Sequence, residues 1–305
     1  MPVVTGPKDF ARIELNRLHP VIGTEVRGFS IADPGGVDRI DEIKRAWLEH
    51  PVLVFREQPI CDSDQIRFAR HFGELEIHPS LAHQASNHPE IYRVSNVDEA
   101  GNILPGKSNE WLYLNLTWLW HSDSTFREIP SKGSILHGIE ILQNGGDTLF
   151  ANMQAAYEHL DDQTKARLEG LTVIHSHDHI ISLSSELSRR QDQGEYTELP
   201  PVSHPLVRVH PETGLRSLFL SPHTMVAIEQ LPDPEGRALL DRLIEHATQN
   251  RFVYRHRWRE HDVIMWDNRC TMHMVTPFDN QVKRRIMHRT TIVGDGAPIP
   301  ASSVT

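Results

Sequence analysis

Short apolar segments closed off by turn residues recur through the chain, and they constrain its fold more than any other feature. They run Ser134–Ile141, Leu171–Ile174, Leu206–Val209, Leu215–Leu220, Val263–Trp266 and Arg285–Val293. Runs of this length suit strands better than helices. Their boundaries include Asn144-Gly145-Gly146-Asp147 and Pro211-Glu212-Thr213-Gly214, which reverse the chain tightly. Helical spacing appears at Val37–His50, ahead of the apolar run Pro51–Phe55, and again at Asn152–Leu168 and Asp233–Thr248. Asp62 and Gln65 predict a capping box for a further helix that stops at Gly73. Many short strands with a few peripheral helices predict a mainly β antiparallel jelly roll rather than a parallel, doubly wound sheet. No linker composition interrupts the 305 residues, so one domain over 1–305 is expected, with the Ser-, Glu-, Gln- and Arg-rich segment 182–201 as a candidate lid.

Composition narrows the function. A net charge of −10 argues against a broad electrostatic grip on nucleic acid. No apolar stretch approaches the roughly 18 residues of a membrane span, and the N-terminus lacks the basic start and long apolar run of a secretory signal. A cytoplasmic protein is expected. Cys61 and Cys270 are too few and too separated for a disulfide framework or a thiolate metal site. Chemistry on a small molecule, without nucleic acid or membrane partners, is the expectation that remains.

The candidate site residues begin with Trp120-His121-Ser122-Asp123. On a strand, positions two apart share a face, so His121 and Asp123 would offer an imidazole and a carboxylate to one ion. With a third ligand, chosen as His273, this makes the two-histidine, one-carboxylate set that leaves positions open on Fe(II). Taken alone the triplet is weak, since His121 reads equally as a core histidine and Asp123 as a turn residue. His159-Leu160-Asp161 is a decoy, because a helical pattern sends residues two apart in different directions. Asn144-Gly-Gly-Asp-Thr148 is a turn that places a hydroxyl at the start of the next segment. Lys283-Arg-Arg-Ile-Met-His-Arg289 reads as a solvated basic face or as a strand with Arg285 and Arg289 on one side, roughly 13 Å apart, able to hold two anions. His175, His177 and His179 form a rival Zn(II) set, though along one strand they would not converge easily.

The order of these signals is more specific than any one of them. Together with LVFREQPICDSDQIRFARHFGELE, LWHSDSTF, GGDTLFANMQAAYEHL, IEHATQNRFVYRHRW and IMWDNRCTMH, it resembles the taurine dioxygenase and 2,4-dichlorophenoxyacetate dioxygenase family over most of the chain. The resemblance implies a double-stranded β-helix of the cupin-like jelly-roll type and iron held by His121, Asp123 and His273. It further implies 2-oxoglutarate and O2 as co-substrates, with Thr148 and Arg285 on the distal carboxylate of 2-oxoglutarate. By the same likeness Arg289 matches the arginine for an anionic substrate, with His78, His210 and His223 around it. Thr117 stands where the family usually has asparagine, and the preceding Trp111–Trp120 stretch is unusually aromatic. The implied reaction is hydroxylation of a small carboxylate or sulfonate, with collapse of the product where a C–O, C–N or C–S bond is adjacent, by a homo-oligomer such as a dimer or tetramer. Desaturation or rearrangement at the same site is the alternative, and a non-catalytic jelly-roll binding protein is the rival from another class. Asp123 argues against halogenation, which needs an open halide position at the carboxylate.

Overall fold

The computed structural model describes residues 10–77, 84–193 and 199–303. An eight-stranded sheet runs in the order Glu14–Arg17, Thr24–Arg27, Val52–Phe55, Val263–Asp267, Gly133–Glu140, Ile286–Ile292, His88–Arg93, Gln84–Ala85. Every pairing but one is antiparallel, the exception being Thr24–Arg27 against Val52–Phe55. A three-stranded sheet faces it, with Thr148–Asn152 between Val253–His256 and Thr271–Val275. Leu136, Ile264, Trp266 and Met287 of the large sheet meet Phe150 and Tyr254 of the small one, so the apolar alternation of both sheets closes a single core layer. This is the jelly roll that the strand pattern predicts.

The helices dress the outside. Val37–Glu49 buries Ile40, Ile43, Ala46 and Trp47 against the large sheet. Asp233–Ala247 buries Leu239, Leu240 and Leu243 against two smaller three-stranded sheets. Among the described residues, no helix is long and apolar enough to cross a membrane.

Several local expectations need correction. The stretch 152–168 is two helices, Met153–Glu158 and Asp162–Leu168, because Asn152 caps the first and the Asp161 carboxylate accepts from Thr164 N at 2.7 Å to start the second. His159 and Asp161 therefore lie at the break, each spent on local backbone. The capping box belongs to Cys61 and Asp64 rather than Asp62 and Gln65, and Asp62 pairs with His288 Nδ1 at 2.7 Å. The segment 182–201 is not simply a loop: Ser185–Asp192 is helical, and Leu187 is buried with Leu112, Leu116, Ile180 and Ile181. Residues 194–198 within it lie outside the described residues. The strand Thr172–His175 ends before the helix His177–Ser182 begins, which separates the three histidines of the rival zinc set.

Candidate active site

The site forms where the small sheet meets a turn. Thr271–Val275 pairs on one side with Thr148–Asn152, and on its free side His273 exchanges both backbone hydrogen bonds with His121 at 2.8 and 2.9 Å. His121 is thus anchored by a single bridge, not by a strand. Asp123 sits in the turn that follows, which Ser124 completes in the left-handed region at φ 57°. A turn can bring a carboxylate two residues on to the same side as the imidazole, as the strand argument had it, by a different route.

His121, Asp123 and His273 offer ligand atoms that all lie within 4.8 Å of one another, and all three are buried. His273 Nε2 stands 3.9 Å from Asp123 Oδ1. The Nδ1 atom of His121 faces the Leu119 carbonyl at 2.8 Å. A carbonyl only accepts, so Nδ1 carries the proton and the Nε2 lone pair is left for a metal. Burial lowers the proton affinity of both imidazoles, His273 strongly so. Burial would raise that of Asp123, but Arg289, His273 and His121 outweigh it and keep the carboxylate ionised. Ser134 Oγ and Asn268 Nδ2 donate to Asp123 Oδ2 at 2.8 and 3.3 Å, fixing the carboxylate plane. Arg289 Nη1 donates to Oδ1 at 2.8 Å, and the Arg289 guanidinium lies 4.7 Å from the centre of the Tyr92 ring. Two neutral imidazoles and one carboxylate suit a divalent first-row ion.

The same cavity is lined by Thr117, Thr148, His223, Arg285 and Arg289. Arg285 is buried with Nη2 lacking any hydrogen-bond partner among the described residues. Burial lowers its proton affinity to about 10, partly offset by Asp147. Such a group calls for an anion. Gly146, at φ 66°, lets it pass: a Cβ there would lie 3.3 Å from Arg285 Cδ and Nε and 2.9 Å from Leu142 Cδ1. Thr148 accepts from Trp258 Nε1 at 3.0 Å. The strand Ile286–Ile292 carries a bulge between Ile286 and Met287, yet both arginines still reach one cavity.

The remaining expected residues divide. His223 joins the cluster, its ring centre 4.8 Å from that of His121 and its Nδ1 buried without a partner among the described residues. Thr117 lines the cavity but spends its hydroxyl proton on the Leu114 carbonyl at 2.6 Å. His210 does not join them. Its Nδ1 accepts from Glu212 N and Thr213 N, and its Nε2 lies 3.1 Å from Asp267 Oδ2, so both nitrogens serve the turn 210–214 and the ion pair of Asp267 with Arg269. His78 lies outside the described residues. His175 stacks on Phe219 and bonds Thr224, whereas His177 lines the cavity beside Phe126 and Tyr113, so no metal set forms there. A second group, His210, Asp267 and Cys270, also brings ligand atoms together. Arg269 already takes up that carboxylate at 2.7 Å, and burial keeps the Cys270 thiol protonated.

Sequence reasoning missed Ser134, Asn268, Tyr92 and Trp258 as supports of the site, and Phe126, His177 and Ile180 as cavity wall, whereas Tyr113 belongs to the stretch singled out as unusually aromatic. It also missed the pairs Glu76–Arg127 and Glu90–Arg70, whose carboxylates reach the cavity.

Comparison with known proteins gives one consistent answer. The family model described as "Taurine catabolism dioxygenase TauD, TfdA family" matches residues 14–291. The alpha-ketoglutarate-dependent 2,4-dichlorophenoxyacetate dioxygenase of Cupriavidus pinatubonensis is 37% identical over 283 residues, covering 91% of this chain and 96% of that protein. The (S)-phenoxypropionate/alpha-ketoglutarate-dioxygenase of Sphingobium herbicidovorans is 36% identical over 287 residues, covering 92% and 94%. The crystal structure of AAD-2 in complex with Mn(II) and N-oxalylglycine superposes with a TM-score of 0.81 at 36% identity, covering 94% of this chain and 98% of that one.

Proposed function

Since the chain belongs to the taurine catabolism dioxygenase TauD, TfdA family, we propose that it hydroxylates a small monoanionic substrate with an aromatic or bulky apolar tail, using His121, Asp123 and His273 as its iron ligands. It is an Fe(II)- and 2-oxoglutarate-dependent dioxygenase. The observation that carries the proposal is that the buried His–Asp–His cluster opens on the same cavity as the Arg285 guanidinium, whose Nη2 has no partner among the described residues.

The bound iron supplies the capacity to couple oxidative decarboxylation of 2-oxoglutarate by O2 to oxidation of a C–H bond. The chain's own residues hold and orient. The Leu119 carbonyl fixes the tautomer of His121, and Ser134 and Asn268 hold one carboxylate oxygen of Asp123 so that the other faces the imidazoles. Arg285 and Thr148 take the distal carboxylate of 2-oxoglutarate, the guanidinium through charge-assisted hydrogen bonds. Arg289 takes the substrate's anion, with Tyr92 holding the guanidinium from its ring face and His223 offering a further hydrogen bond.

Charge supports a monoanion. At the cavity Glu76 is paired with Arg127, Glu90 with Arg70 and Asp123 with Arg289. Arg285 has no acidic partner within ion-pair distance among the described residues. A divalent ion with Asp123, both arginines and dianionic 2-oxoglutarate leaves one positive charge, which a singly charged substrate neutralises. The wall of Tyr113, Leu116, Phe126, His177 and Ile180 supports an apolar tail and keeps water from the reacting carbon.

The test is succinate release from 2-oxoglutarate with aryloxyalkanoates, sulfonates and sulfate esters, each beside an uncharged analogue of the same skeleton. Aryl-bearing anions should be turned over and their neutral analogues should not. A best substrate without charge refutes the proposal.

A further inference from the structure

We infer that Trp258 is a positioning residue for 2-oxoglutarate, acting through Thr148: its indole N–H occupies a lone pair of the Thr148 hydroxyl and so turns the hydroxyl proton toward the cavity. The inference rests on the reading of Thr148 as a contact for the distal carboxylate.

A threonine hydroxyl has one proton and can either donate it to a ligand or accept from one, so by itself it discriminates poorly between a carboxylate and a hydrogen-bond donor. Here the choice is biased. Trp258 Nε1 lies 3.0 Å from Thr148 Oγ1. An indole nitrogen donates and cannot accept, so Thr148 must be the acceptor in that bond. Thr148 is 1% exposed, and no acceptor for its own proton is found among the described residues. The proton is left for a ligand in the cavity that Thr148 lines. Accepting one bond also polarises the hydroxyl, which strengthens the bond it donates. With the unpartnered Nη2 of Arg285 on the same cavity, the site presents two donors, which a carboxylate satisfies.

The surroundings hold the indole in that attitude. A Cβ on Gly138 would lie 3.0 Å from Trp258 Cε3 and 3.4 Å from Cζ3, so the ring rests on bare backbone. The His256 ring meets Trp258 edge to face at 4.7 Å, and His256 is itself held by Asp262 and Tyr254. Thr148 and His256 are register partners on neighbouring strands, so the sheet fixes the hydroxyl and the prop of its donor together. Trp258 does not itself line the cavity and reaches it through Thr148.

The experiment is a double-mutant cycle read by equilibrium binding. The affinity of Fe(II)-loaded protein for 2-oxoglutarate and for 2-oxobutyrate, which lacks the distal carboxylate, is measured without oxygen by calorimetry. The variants are Trp258→Phe, Thr148→Val, the two combined, and Arg285→Gln. Trp258→Phe should weaken 2-oxoglutarate binding roughly five- to thirtyfold, as loss of one hydrogen bond to a charged group does. It should leave 2-oxobutyrate binding as it was, and add nothing in the Thr148→Val background. In turnover, the KM for 2-oxoglutarate should rise by more than kcat falls. An unchanged 2-oxoglutarate affinity in Trp258→Phe, with Thr148→Val and Arg285→Gln both weakened, overturns the role of Trp258 and leaves the site reading standing. Equal weakening in both backgrounds, or for both ligands, marks a merely structural residue and also overturns it. Unchanged affinity in Thr148→Val and Arg285→Gln overturns the site reading itself. Should Trp258→Phe fail to fold, Trp258→His carries the same cycle, with the same non-additivity expected and its absence decisive against the inference.

Discussion

Replacing Arg285 by glutamine should weaken 2-oxoglutarate binding and stabilise the ligand-free protein at the same time. Arg285 is 4% exposed, its Nη2 has no partner among the described residues, and burial lowers its proton affinity from the usual guanidinium value to about 10, with Asp147 a partial offset. The folded-state value lies below the unfolded one. The charged form is therefore penalised by folding, and at neutral pH, below both values, the penalty is fully present. A tenfold change in proton affinity corresponds to about 1.4 kcal/mol, so the charge costs the ligand-free fold on the order of 3 kcal/mol. Glutamine removes that cost, less the packing lost with the shorter side chain. The same charge is what a carboxylate ligand would pair with, and breaking such a pair costs about 2–5 kcal/mol, or roughly thirty- to several-thousandfold in Kd. Thermal melts with and without 2-oxoglutarate, alongside calorimetric titration, read both effects. Ligand-free Arg285→Gln should melt at or above the parent, and 2-oxoglutarate should raise its Tm far less. An unchanged affinity, or a ligand-free variant that melts well below the parent, would refute the reasoning.

Three further outcomes are expected. His121→Ala, Asp123→Ala and His273→Ala should each lose bound iron and turnover, and full activity with a normal iron content in any of them removes that residue from the metal site. Arg289→Ala should raise the KM for the primary substrate far more than that for 2-oxoglutarate; because Arg289 also donates to Asp123 at 2.8 Å, iron content is measured in parallel, and a parallel fall in both affinities with an early melt would reduce Arg289 to a structural ion pair. Stability should also fall in acid through Asp267. Burial would raise its proton affinity, but Arg269 and His210 outweigh it and hold it below the usual carboxylate range. Its contribution is therefore present above the unfolded value near 4 and lost as pH falls below that. Asp267→Asn should cost about 3 kcal/mol at neutral pH and flatten the acid limb of Tm against pH, and an unchanged limb contradicts the assignment.

Much of the fold was legible because alternation and turn chemistry are local. Gly133–Glu140, Val263–Asp267 and Ile286–Ile292 each begin and end within a residue or two of the predicted strands. Boundaries failed where a side chain competed for backbone, as when Asp161 capped a new helix inside an apparently continuous one. The site was legible in part for the same reason. His121 and Asp123 are neighbours in sequence, and Arg285 and Arg289 share one short segment, so spacing carried the signal.

The residues that support them come from distant parts of the chain. Ser134 and Asn268 converge on Asp123 from separate segments, and Trp258, just past the end of the strand Val253–His256, reaches Thr148 on the neighbouring strand, leaving no pattern in the linear sequence. His210 and His223 looked alike in sequence, and only the turn amides and Asp267 that use both nitrogens of His210 separate them.

The central claim is tested most directly by reconstituting metal-free protein and measuring succinate formed from 2-oxoglutarate under air, with and without an aryl-bearing carboxylate. With Fe(II), succinate should form in step with consumption of that carboxylate. With Zn(II), which the same two histidines and carboxylate can hold but which has no redox chemistry, none should form. Succinate formation with Zn(II), or its absence with Fe(II) across the whole panel of anions, would contradict the account.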